Sequence, residues 1–250
     1  MQPKDCFLKT KILGVSYDNI DGNAAVQRFL ALMESSGKSN IFFLNADCLW
    51  KSRKDKEYRD ILNQASLLLP DGVGLRLATR IFGSRMRDNC NGTDLSPVLM
   101  KIAAKKGYKI YFLGGRNGIA DQAAENMRRR IPGIKITGSY SGYFDSDKDV
   151  IERINTSGAE ILFVAMGVPL QEKWISHNRE WLEPRVCLGV GALLDYLSGQ
   201  IPRAPLWMRQ LWIEWIWRIL VDPKRMVKRY LIDGFGFIVF VIWRRIMGKV

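Results

Sequence analysis

The run Leu69-Pro70-Asp71-Gly72-Val73-Gly74 sets an acidic side chain directly behind an apolar stretch, with glycines that let a ligand approach the backbone. If the stretch is a strand, Asp71 stands at a carboxyl end of a sheet, where open α/β folds bind ligands. A carboxylate there can take the proton of an attacking hydroxyl as general base. The competing use is to cap a helix beginning at Val73. The segment Lys109-Ile110-Tyr111-Phe112-Leu113-Gly114-Gly115-Arg116-Asn117-Gly118 reads as strand, glycine turn and helix start. Amides around Gly114 and Gly115, aided by the helix dipole, suit phosphate, although the spacing is neither a Walker loop nor GxGxxG. Gly167-Val168-Pro169-Leu170-Gln171-Glu172 repeats the pattern with Pro169 in a first-turn position. Gln171 would then project near the same end, where its amide could donate to a sugar or phosphate oxygen. Leu188-Gly189-Val190-Gly191-Ala192 makes a third such turn, ahead of Asp195.

Other polar groups carry less. Asp145-Ser146-Asp147 has the D-x-D form that can hold a divalent ion against a nucleotide diphosphate, but it opens a polar run before a helix, and capping accounts for it better. His177 has no second nitrogen or thiolate at ligand spacing and reads as a surface residue. Cys6, Cys48, Cys90 and Cys187 are scattered without close pairs, so neither a disulfide framework nor a zinc site is expected. No metal and no cofactor is expected.

To bring these turns together the chain needs parallel strands joined by helical crossovers, and its alternation of short apolar runs with helical periods supplies them. Strands are predicted over Ile12 to Val15, Asn40 to Leu44, Ser66 to Leu69, Lys109 to Leu113, Lys135 to Gly138, Glu160 to Met166 and Val186 to Val190. Helices are predicted over Asn23 to Glu34, Lys54 to Ala65, Val73 to Phe82, Asp94 to Lys106, Ile119 to Arg130, Lys148 to Asn155 and Pro169 to Trp181. The fold class is α/β, a Rossmann-like parallel-sheet sandwich, expected to occupy residues 1–200.

Residues 201–250 differ in kind and read as a basic, Trp-rich helical appendage. The 250-residue chain has a formal charge of +13, of which this tail, with ten basic against three acidic side chains, carries +7. It also holds five of the eight tryptophans. One helix is predicted over Pro205 to Leu220 and a second, basic one over Lys224 to Ile232 after Asp222-Pro223. The apolar run Phe235 to Trp243 is too short to span a bilayer, which takes roughly twenty residues as a helix. Such helices lie at the headgroup level of anionic membranes. The alternatives are a core face packed on the main domain, contact with a second subunit, and nucleic-acid binding; the terminal apolar run argues against nucleic acid. The polar N-terminus lacks a secretory signal, so a cytoplasmic location is expected.

Asn45-Ala46-Asp47, Pro70-Asp71-Gly72, Asn91-Gly92-Thr93-Asp94-Leu95, Phe112-Leu113-Gly114-Gly115, Gly167 to Trp174, Gly189-Val190-Gly191-Ala192 and Arg203-Ala204-Pro205 occur in an order that resembles the WecG/TagA/CpsF glycosyltransferases, from about Ile12 to Arg229. The resemblance implies transfer of an N-acetylmannosamine-type or related sugar, with inversion, from a UDP-sugar to a polyprenyl-diphosphate-linked saccharide. The reaction would lie on the cytoplasmic face of the membrane, in cell-surface polysaccharide synthesis, with no metal. It also implies Asp71 as general base, and Asn45, Asp94 and Gln171 at the sugar-nucleotide site. Gly114, Gly115, Gly167, Gly189 and Gly191 would surround the nucleotide, with Arg203, Arg218 and Arg225 meeting diphosphate or membrane phosphate. A non-catalytic protein binding nucleotide sugars or lipid diphosphates is the second reading. Two positions depart from the family pattern: Phe43 stands where Thr is frequent, and Asn89 where Arg is frequent. Both bear on which sugar is used more than on the reaction.

Overall fold

The computed structural model describes residues 9–248, apart from the side chains of Arg225 and Arg229. It opens on a hairpin where a single parallel strand is predicted: β1 (Lys9–Ile12) pairs antiparallel with β2 (Val15–Asp18). Leu13 and Gly14 connect them with φ of 51° and 81°, and two successive positive values give the turn whose twist matches the flanking strands. The elements that follow are α1 (Gly22–Glu34), β3 (Ser39–Leu44), α2 (Ala46–Ser52), α3 (Lys56–Asn63), β4 (Leu67–Pro70) and α4 (Val73–Ile81). Next come α5 (Gly92–Lys106), β5 (Lys109–Gly114), α6 (Ile119–Arg130), β6 (Lys135–Tyr140), α7 (Asp147–Thr156), β7 (Ile161–Ala165), α8 (Leu170–Asn178), β8 (Val186–Gly189) and α9 (Leu193–Ser198).

β3 to β8 form one parallel sheet in the order β4-β3-β8-β7-β5-β6. Successive side chains of a strand point to opposite faces, and both faces here are covered. On one, Ile41, Phe43, Phe112 and Phe163 pack against α1, α5, α6 and α9. On the other, Phe42, Leu44, Leu113 and Val164 meet α2, α3, α4, α7 and α8. This double burial is why the strands read as nearly unbroken apolar runs. The hairpin docks beside β4, where the buried Asp18 accepts the amide of Leu68 at 2.9 Å.

The remaining chain is helical: α10 (Leu206–Gln210), α11 (Glu214–Val221), α12 (Pro223–Val227), a π-helical stretch over Lys228–Asp233, and α13 (Gly234–Ile246). The single helix predicted over Pro205 to Leu220 is interrupted between α10 and α11, where Trp212 takes φ 63°. Arg76 of α4 lies 4.4 Å from the Trp212 ring centroid and pins this corner. Phe237 and Val241, one helical turn apart on α13, are fully buried in the second core cluster, and Trp50 of α2 meets Phe237 and Phe240 edge-on at 6.5 and 6.0 Å. One face of α13 therefore serves the core. Its other face leaves Phe235, Val239, Trp243 and Ile246 exposed. Among the described residues no helix is long and apolar enough to cross a membrane.

Candidate functional site

The carboxyl ends of all six parallel strands open onto one cavity of about 920 Å³. Asn45 and Asp47 follow β3, Asp71 follows β4, and Gly115 to Asn117 follow β5. Gly142 and Tyr143 follow β6, Met166 to Val168 follow β7, and Gly189 to Ala192 follow β8. Arg218, Asp222, Lys228 and Asp233 of the appendage complete the wall.

Asp71 and Asn45 are brought side by side because β3 and β4 end in register, Leu44 opposite Pro70. The Asp71 amide donates to Leu44 O at 2.8 Å. At the head of α4 the cap position is held by Gly72, with φ 88°, so Asp71 does not occupy it. The Gly72 amide donates to Asn89 Oδ1 at 2.8 Å; Asn89 thus fixes the turn that carries Asp71. Gly74 lets α4 close on α2, since a Cβ there would lie 2.6 Å from the Ala46 Cβ. Asn45 lines the cavity while its Oδ1 also caps α2 by accepting the Cys48 amide at 3.1 Å. Phe43 lines it too, its ring packed on Gly92.

Gln171 reaches the cavity wall and also holds the protein together there. Its Oε1 accepts the amides of Gly167 at 3.2 Å and Gly191 at 2.8 Å, and its Nε2 donates to Glu172 Oε1 at 2.7 Å. It thereby staples the turn after β7 to the turn after β8. Gly114 is likewise a packing residue: a Cβ on it, at φ 143°, would lie 2.3 Å from Ala165 O. The Gly115 amide, expected to face phosphate, donates to Ala165 O at 3.1 Å, which leaves Arg116 and Asn117 as the residues this turn presents to the cavity.

Two expected ligand groups form the hinge of the appendage instead. Asp94 on α5 receives Asn91 Nδ2 at 2.8 Å, Arg209 Nη1 at 2.9 Å and the Arg203 guanidinium. Burial pulls its carboxyl upward, but Asn91 and the two arginines outweigh that and hold it below its ordinary range. Arg203 also reaches Glu214 at 3.2 Å, and neither Asp94 nor Arg203 lines the cavity. Arg218 does line it, bonded to Glu214 at 2.9 Å and lying over the Tyr196 ring. The Arg225 side chain lies outside the described residues. Lys228, Arg116, Lys51 and Tyr143 line the cavity without having been singled out in the sequence.

Behind Gln171, Glu172 is fully buried. Burial pushes its carboxyl up to about 7 against the opposing hydrogen bond from Gln171 and the charge of Lys51. The Tyr58 hydroxyl, buried beside it, also opposes the rise. A carboxyl whose folded value is raised favours the folded state below the ordinary carboxylate range, and this contribution is lost as pH rises toward and past 7. Glu172→Gln keeps an acceptor for Gln171 and removes the titration. Thermal melts between pH 5 and 8 should therefore show the wild type losing on the order of 2–3 kcal/mol that the variant does not lose.

Ser146 caps α7 through the Asp149 amide at 3.3 Å, and Asp147 Oδ1 accepts Trp174 Nε1 at 2.7 Å, so the D-x-D segment is structural. His177 is exposed and paired with Glu57 at 2.7 Å. Among the described residues no group of three or more His, Cys, Asp or Glu side chains gathers to hold a metal.

The sequence model of the Glycosyl transferase WecG/TagA/CpsF family matches residues 10–250. An N-acetylglucosaminyldiphosphoundecaprenol N-acetyl-beta-D-mannosaminyltransferase of Bacillus subtilis (strain 168) is 30% identical over 196 residues, covering 78% of this chain and 77% of its own. A protein of the same name from Staphylococcus aureus (strain MRSA252) is 32% identical over 221 residues, 87% of each chain.

Proposed function

Because the chain belongs to the WecG/TagA/CpsF family of glycosyl transferases, we propose that it transfers a sugar from a UDP-sugar, with inversion, to a hydroxyl of a polyprenyl-diphosphate-linked saccharide in cell-surface polysaccharide synthesis. The observation that carries this reading is one cavity whose lining joins Asp71 and Asn45, at neighbouring strand ends, with Arg218 and Lys228 of the appendage. A carboxylate and cations lining the same cavity suit a reaction in which a hydroxyl loses a proton while a diphosphate gains charge.

In this reading Asp71 takes the acceptor hydroxyl's proton as that oxygen forms its bond to the anomeric carbon from the face opposite the leaving group. The bond from the anomeric carbon to the UDP oxygen breaks, and its electron pair leaves on the diphosphate. Arg218, Lys228 and Arg116 offset that charge in a site partly shut from water, where fixed charges act most strongly. The donor sugar is N-acetylmannosamine or a close relative, the sugar transferred by the named relatives; the Phe43 ring offers it shape and no hydrogen bond. The exposed apolar side chains of α10 to α13, with Lys224, Arg244 and Arg245 beside them, hold the enzyme peripherally on an anionic membrane at its cytoplasmic face.

The test is UDP release when a panel of UDP-sugars is mixed with an N-acetylglucosaminyl-diphospholipid, with the product weighed by mass spectrometry. UDP should appear only with both substrates present, alongside an acceptor heavier by one sugar. Tight donor binding without any UDP release would leave a binding protein and overturn the enzyme.

A further inference from the structure

Asp71 lies where two cavities meet. Asn45, Asp47, Asp71, Arg218 and Asp233 line both the cavity at the strand ends and a second one of about 530 Å³, within the range of small-molecule sites. The second differs in chemistry. Its walls are Trp50 of α2, Leu77 of α4, and Trp212, Trp215, Phe235 and Ile238 of the appendage, and its polar lining joins Arg209, paired with Asp94, and Arg218, paired with Glu214, to the carboxyl groups of Asp47, Asp71, Glu214 and Asp233. Leu77 and Phe235 remain 42% and 71% exposed, so the groove has a side that faces outward.

Aromatic and aliphatic walls left in contact with water are unfavourable unless something apolar covers them. The occupant must also suit what adjoins the groove: a carboxylate able to take a proton from a hydroxyl, and an arginine, Arg209, able to meet an anion. A ligand with a saccharide hydroxyl at one end, a diphosphate next to it and a hydrocarbon beyond matches these features in their spatial order. We propose that the groove between α4 and the appendage binds the isoprenyl units of the acceptor nearest its diphosphate, before the chain enters the bilayer. This rests on the glycosyl-transfer reading above. The groove holds a few isoprenyl units and not a whole polyprenyl chain, so the remainder leaves past the exposed apolar face of α13.

The proposal separates acceptor recognition by the protein from partition into the membrane. Each methylene-sized group moved from water to an apolar site strengthens binding about fourfold. In buffer free of lipid and detergent, with N-acetylglucosaminyl diphosphates carrying isopentenyl, geranyl and farnesyl groups, the acceptor KM should fall about tenfold or more per early unit. It should then level off, with kcat nearly constant. Leu77→Glu, on the open wall of α4, should collapse the ratio of KM between the isopentenyl and farnesyl acceptors toward one, and a melting curve shows whether that variant is folded. The wild-type series does not depend on any variant. UDP release at equal KM for all three acceptors would overturn the groove alone. Chain-length dependence that arises only when vesicles are added would place the isoprenyl units in the bilayer and also overturn it. Absence of UDP release with every acceptor would sink the glycosyl-transfer reading and the groove together.

Discussion

Asp71→Asn is expected to lower kcat by about 10²–10⁴-fold, the range that general base catalysis supplies. The expectation comes from what the substitution leaves alone. The Asp71 amide, bonded to Leu44 O, and the Gly72 amide, bonded to Asn89, are backbone groups and stay in place. Asn has the shape of Asp, and Gly72 holds the cap position of α4. Stability and the donor KM should move far less than kcat, because the step in which a proton leaves the acceptor is the one that needs the carboxylate. Steady-state kinetics with a lipid-linked acceptor, together with a thermal melt, measure both halves. Turnover within a few-fold of wild type would reject Asp71 as the base.

Ending the chain at Ser198 has the second largest expected effect, and it acts through two separate losses. The first is chemical: Arg218 and Lys228 leave the cavity wall. Removing one donor that stabilises developing charge typically costs about 10²–10³ in kcat, so the truncated protein should lose at least that much. The second is structural: Phe237 and Val241 leave a core cluster in which both are buried. Losing a buried phenylalanine alone costs about 3–5 kcal/mol, so the melting temperature should drop even though the six-stranded sheet and its flanking helices remain. Sedimentation with anionic vesicles should be lost at the same time. Arg203→Ala in the full-length chain distinguishes the losses, because it cuts the ties to Asp94 and Glu214 while leaving the core contacts of α13 in place. It should weaken kcat more than stability. A truncated protein that keeps wild-type turnover would show that the appendage contributes nothing to the reaction.

The parallel sheet was legible because its strands are buried on both faces and so appear as short apolar runs punctuated by Gly, Asn or Asp. Asp71 was legible for the same reason, being the first polar residue after such a run, whereas Asn45 was marked by the family resemblance. The hairpin at the start was not: its turn uses Leu13 at φ 51°, a conformation that Leu rarely adopts and no composition signals. α2 was hidden within a segment read as a motif, since Asn45 is at once its cap and part of the cavity wall.

The roles of Asp94, Arg203 and Gln171 show where local reading stops. Asp94 and Arg203 are 109 positions apart, and nothing in the spacing of either reveals that they hold each other rather than a ligand. Gln171 does arrive at the cavity, as the turn geometry requires, yet the amides of Gly167 and Gly191 reach its oxygen first. Lys228 was missed for a different reason. A basic residue in a basic tail carries no mark of its own until the π-helical stretch over Lys228–Asp233 turns that part of the tail toward the cavity.

The docking of the hairpin beside β4 has a consequence for how the protein tolerates company. β4 is one of the two edge strands of the sheet, and the free backbone of such a strand is a template onto which another chain can add. Asp18 takes the Leu68 amide with a side chain rather than with a further rung of ladder, so bonding on that flank ends at a buried carboxylate that offers nothing for a neighbour to extend. Where copies of the chain meet at high concentration, this small hairpin closes that flank to intermolecular strand pairing.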